Sequence, residues 1–62
     1  MGEIRARELV RMAIDHGFTY SHTSGSHMIY IKGGNHVSIP GPENRMVAPG
    51  TARNCVKKIK GA

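Results

Sequence analysis

Sixty-two residues are enough for one domain of residues 1–62, and a chain this short buries only about 60% of its unfolded surface, so a single small core with a thin stability margin is expected. Nine Lys and Arg against four Asp and Glu give a net charge of +5, a balance that suits a polyanion such as RNA phosphate and equally suits a small protein kept soluble by its charge. The lone Cys55 excludes an intramolecular disulfide and no apolar run reaches transmembrane length, so the chain reads as soluble, away from membranes and cytoplasmic, with a partner or a second copy of itself supplying further buried surface.

In chain order, the start "MGEIRA" has Ala6 where a myristoylation signal requires Ser or Thr, and it leads directly into a charged amphipathic pattern rather than a signal peptide. From Glu3 to His16, Ala6, Leu9, Val10 and Ala13 recur at helical spacing, with Ile14 extending the same face. Gly17 is the expected left-handed stop, and His16 sits where a helix C-terminus favours a basic side chain. Phe18 to His22 alternates as a short strand, "TSGS" makes a polar turn, and Met28 to Lys32 is the clearest strand of the chain. Gly33-Gly34 suits a two-residue hairpin into a third strand, "NHVSI", which Pro40 and Pro42 stop.

Pro40 to Gly50 shows little sign of regular structure. A second helix starts at Pro49-Gly50-Thr51, with Ala52, Cys55, Val56 and Ile59 as its apolar stripe and Arg53, Lys57 and Lys60 on another face. The order is α-β-β-β-α, an α+β domain with a three-stranded antiparallel sheet and both helices on one face. Phe18, Tyr20 and Tyr30 are its only aromatics, so the core is expected to be aliphatic, with Met12, Met28 and Met46 filling gaps.

Three features bear on chemistry. Cys55 lies in an apolar stripe and reads as a small buried hydrophobe rather than a reactive thiol. His16, His22, His27 and His36 match no helical ligand pair and no zinc-finger spacing, so neither a metal site nor another cofactor is expected. The second helix carries only positive charge after Arg53, without acidic residues four positions away to relieve the repulsion, which favours anion binding by Arg53 and Lys57. His27 follows Gly25-Ser26 at the start of the clearest strand. It is either a surface histidine or an imidazole presented by a small, open turn whose Ser26 offers a hydroxyl and an amide to phosphate. In the second case it could move a proton at a ribose 2′-hydroxyl or a leaving 5′-oxygen without a metal.

These elements together resemble HicA, the toxin half of a bacterial and phage toxin–antitoxin pair. The resemblance runs over nearly the whole chain: "ELVRMAIDHGF", "GSH" at Gly25 to His27 before an apolar strand, "VSIP" at Val37 to Pro40, and "PGTARN" opening the last helix. It implies a fold like that of double-stranded-RNA-binding domains, ribosome-independent endonucleolytic cleavage of messenger RNA, and neutralisation by a HicB-type antitoxin. It places the catalytic histidine at His27 and basic substrate contacts at Arg45 and Arg53, to which Ser26, Lys32 and Lys57 are added as phosphate contacts. The chain departs from the family pattern at Pro42, Glu43 and Asn44, where many members carry a histidine and paired glycines. It departs again at Ala52, where a leucine is usual and where Met46 is a candidate to compensate. A non-catalytic RNA-binding module on the same fold, or a module that mainly binds an acidic antitoxin, would share most of these features.

Overall fold

The computed structural model describes residues 3–62; Met1 and Gly2, where a lipidation signal would begin, lie outside the described residues. The elements in chain order are β1 (Ile4–Arg5), α1 (Ala6–Asp15), β2 (Thr19–Ser24), β3 (His27–Lys32), β4 (Asn35–Pro40), β5 (Met46–Val47) and α2 (Pro49–Gly61). The expected α-β-β-β-α layout is present, with β2, β3 and β4 as an antiparallel meander and both helices packed on one face of it.

The start of α1 differs from expectation. Ile4 and Arg5 are extended and pair antiparallel with Met46 and Val47, so the helix begins at Ala6 rather than Glu3. Glu8 Oε2 accepts the Arg5 backbone N–H at 3.2 Å, and the Ala6 and Arg7 N–H groups donate at 2.8 Å to the carbonyls of Arg45 and Glu43. Donors that a helix start leaves without intrahelical partners are therefore satisfied by the loop before β5. At the other end Gly17 (φ +93°) donates to Ile14 O and Phe18 donates to Ala13 O, the paired bonds of a Schellman stop. Phe18 thus belongs to the helix ending, and β2 runs later than expected, from Thr19 to Ser24. His16 Nδ1 lies 2.9 Å from the Met12 carbonyl, which also accepts the His16 backbone N–H at 3.1 Å.

Ala6, Leu9, Val10 and Ala13 of α1 and Ala52, Cys55 and Ile59 of α2 are buried against Tyr30, Val37 and Ile39 of the sheet, with Phe18 and Val47 closing the ends. Complete burial of a side chain such as Leu9 or Phe18 is worth about 1.5–3 kcal/mol relative to exposure. Three expectations about this core are corrected. Phe18 is among its largest fully buried side chains, so the core is not purely aliphatic. Met12 and Met28 pack at its margin, whereas Met46 is 43% exposed and compensates nothing at the buried Ala52. Ile14 is 52% exposed, because the elements packed on α1 cover only the stripe of Ala6, Leu9, Val10 and Ala13.

The segment from Pro40 to Gly50 is ordered by hydrogen bonds and by β5, although no apolar periodicity marks it. Pro40 is the last residue of β4 rather than a residue beyond it, and it fits there because β4 is an edge strand.

Candidate active site

Register fixes which side chains share a face of the sheet. Met28, Tyr30, Val37 and Ile39 point to the helices, so the alternating residues His27, Ile29 and Ile31 of β3, with their partners Pro40, Ser38 and His36 of β4, form the opposite face. Among the described residues nothing packs over that face. On β2, His22 pairs with Ile29 and Ser24 with His27, which brings both to the open side.

His27 is the first residue of β3, directly after the Gly25–Ser26 turn, and is exposed. Gly25 has φ +60°, the backbone that a two-residue hairpin of this kind requires at its first central position. Behind the turn, the Gly41 N–H donates to Ser26 O at 2.7 Å. Gly41 is buried there, and a Cβ on it would lie 3.1 Å from Ser26 O and 3.2 Å from Met28 Cγ. The Gly41–Ser26 bond is a strap that continues the β3–β4 pairing one step past His27 and Pro40, so the turn residue before His27 is held as well as the strand after it, and no described residue hydrogen-bonds its ring.

The loop from Gly41 to Arg45 carries the strap to α1. Arg45 N–H donates to Pro42 O at 2.9 Å, its guanidinium lies 3.4 Å from Gly41 O, and Arg5 donates to Asn44 O at 3.0 Å. Two hydrogen bonds through Gly41 therefore connect Arg45 to the Ser26 turn. A cleft of about 680 Å³ opens beside this turn, lined by Thr23, Ser26, Met28, Pro42, Glu43 and Asn44 among others.

The other expected phosphate contacts lie apart from it. Lys32 is at the far end of β3, five residues and roughly 16 Å from His27. Its ammonium donates to Ala62 O at 3.2 Å and lies 5.9 Å from the centre of the Phe18 ring, on the helix-bearing side. Arg53 and Lys57 are exposed on α2. Lys57 lines a groove of about 370 Å³ between α2 and the β4 edge with Thr51, Asn54, Lys58 and Ser38. Thr51 and Asn54 were not legible as groove residues, because helical spacing assigns them to the surface without saying that the middle of β4 lies beside them.

Cys55 is buried in this region, where its thiol donates to Ser38 O at 3.5 Å. Burial pushes its pKa up, against a smaller lowering by Lys58, which is the behaviour of a packed thiol rather than a nucleophile. Among the described residues no three His, Cys, Asp or Glu side chains converge as metal ligands, and no helix is long and apolar enough to cross a membrane.

With this geometry in place, comparison with known families is decisive: the family model described as HicA toxin of bacterial toxin–antitoxin matches residues 6–60. The chain belongs to the HicA toxin family. The matched region includes every element from α1 to all but the last residue of α2, so the Gly25–His27 turn, the Gly41–Arg45 loop and the α2 groove all lie within the HicA domain. No curated protein and no solved structure matches the chain. As a HicA toxin it is one half of a toxin–antitoxin pair.

Proposed function

We propose that this HicA chain is a metal-independent endoribonuclease that cleaves messenger RNA with His27 as its acid/base group. The observation that carries the reading is an unencumbered imidazole on an open sheet face, held at the end of a strand and strapped through Gly41.

In this reading His27 takes the proton of a ribose 2′-hydroxyl. The oxygen so freed attacks the adjacent phosphorus, the bond to the 5′-oxygen breaks, and in the simplest cycle the imidazolium returns the proton to that oxygen. The products are a 2′,3′-cyclic phosphate and a 5′-hydroxyl. Arg45 and the Ser26 turn bind the reacting phosphate and stabilise its developing charge, while Arg53 and Lys57 hold flanking phosphates. Lys32, tied to the end of α2, is left with at most a distant contact. The partner is a HicB-type antitoxin, and the compartment is the cytoplasm.

A non-catalytic RNA-binding module is the second reading, favoured by the groove of Thr51, Asn54, Lys57 and Lys58, which needs no histidine to hold a strand. Cleavage of a labelled RNA in EDTA, with fragment termini identified, separates the two. Cyclic phosphate ends produced by the wild type support the nuclease, and binding without cleavage supports the module.

A further inference from the structure

One imidazole is poorly placed to serve both oxygens of this reaction. In a displacement at phosphorus the attacking and leaving oxygens lie roughly in line on opposite sides of the atom, so a ring that removes a proton from one does not reach the other without moving. A second proton donor across the phosphate removes the need for that movement, and the open face of the sheet offers one. We propose that His22 is the general acid that protonates the leaving 5′-oxygen, with His27 as the base.

The placement follows from register. His22 pairs with Ile29, and Ile29 is two residues from His27 on the same face, so the two histidines are diagonal cross-strand neighbours. Such neighbours stand roughly 7–8 Å apart. Two ring nitrogens that each hydrogen-bond a different oxygen of one phosphate need to be roughly 6–8 Å apart, two hydrogen-bond lengths with the phosphate between them. His36 pairs with Ile31, four residues along β3 from His27 and about 13 Å away, beyond that reach.

A second observation is independent of the spacing. The β2–β3 ladder slips at Tyr20/His22, leaving Ser21 as an extra residue. A bulge turns consecutive side chains toward one side, and here Ser21 Oγ lies 3.0 Å from His22 Nδ1, a contact that neighbours on a regular strand do not make. With Nδ1–H donated to the serine hydroxyl, the imidazolium keeps its Nε2–H free to donate outward. His27 has no such partner among the described residues and is left to act as the base.

Among the described residues, His22, His27 and His36 are the titratable side chains of the open face; Lys32 and the two tyrosines face the other side, and Glu43 and Arg45 approach only from the loop at the His27 end. The proton balance is complete: His27 gains the 2′-hydroxyl proton, His22 loses one to the 5′-oxygen, and solvent exchange restores both.

This inference rests on the reading of His27 as base, and the test keeps the two apart. The full chain and its His22→Ala and His27→Ala variants are assayed on an RNA oligonucleotide and on a nucleoside 3′-(4-nitrophenyl phosphate), whose leaving group needs no proton. His22→Ala is expected to slow oligonucleotide cleavage about 100-fold or more. It is expected to cleave the activated ester within a few-fold of wild type and to lose the alkaline fall of the pH–rate profile. His27→Ala is expected to lose both substrates. Equal losses on both substrates for His22→Ala, or wild-type cleavage of RNA, would overturn the assignment of His22. Activity of His27→Ala on both substrates would overturn the base itself.

Discussion

Replacing Gly41 by alanine tests whether the loop positions the catalytic turn. The added Cβ would lie 3.1 Å from Ser26 O and 3.2 Å from Met28 Cγ, and the first of these is backbone that cannot rotate away. Relief requires the loop and the turn to separate, which stretches the 2.7 Å bond from Gly41 N–H to Ser26 O. Overpacking of this kind costs about 1–3 kcal/mol, and a weakened hydrogen bond adds up to about 1 kcal/mol. In a domain of this size each kcal/mol lowers Tm by roughly 4–8 °C, so a fall on the order of 10 °C is expected in thermal unfolding followed by circular dichroism. Because the turn carries His27, RNA cleavage at a temperature where the variant is still folded should fall about tenfold or more, as misplacement on the order of 1 Å commonly costs more than that. Gly34→Ala is the matched control: its Cβ meets nothing within 4 Å and its backbone is not left-handed, so stability should be unchanged or slightly raised. Wild-type stability and activity in Gly41→Ala would refute the strap.

Two further outcomes follow from the same structure. Tyr30 and Cys55 both have pKa values raised chiefly by burial, from ordinary values of 10.0 and 9.0, so the folded chain holds their protons more tightly than the unfolded chain does. Their contribution is intact below pH 9 and is lost as pH rises through the raised values; denaturant midpoints measured from pH 8 to 11 should decline above pH 9, and Cys55 should react with a thiol reagent far more slowly in the folded chain than in denaturant. Lys57→Ala and Lys58→Ala, side chains that line one groove beside β4, should each weaken RNA binding and reduce the slope of log K against log salt by somewhat less than one, measured by fluorescence anisotropy; unchanged slopes would remove that groove from the interface.

How much of this was legible depends on how local each feature is. The stripe Ala6, Leu9, Val10 and Ala13 and the Gly17 stop are written in residues a few positions apart, and they appear as expected. Ile14 fits the same wheel but is exposed, because the width of the covered stripe is set by which neighbours pack there and not by the helix itself. β1 and β5 are two residues each and pair Ile4 with Val47 across most of the chain, so neither has a period to detect. The position of His27 after a glycine turn was readable. Its second support at Gly41 depends on a contact between segments far apart in sequence, and the turning of His22 depends on a slip in register. Lys32 illustrates the converse: a cation on the same strand as the histidine that strand geometry carries to the opposite end and opposite face.

The central claim is tested most directly by incubating the wild type and His27→Ala with end-labelled RNA in EDTA, after circular dichroism has shown that both are folded. His27 is exposed and packs in no core, so the variant should unfold like the wild type. The expected result is cleavage to 2′,3′-cyclic phosphate ends by the wild type and none by the variant. Cleavage by a folded His27→Ala chain at the wild-type rate would contradict the account.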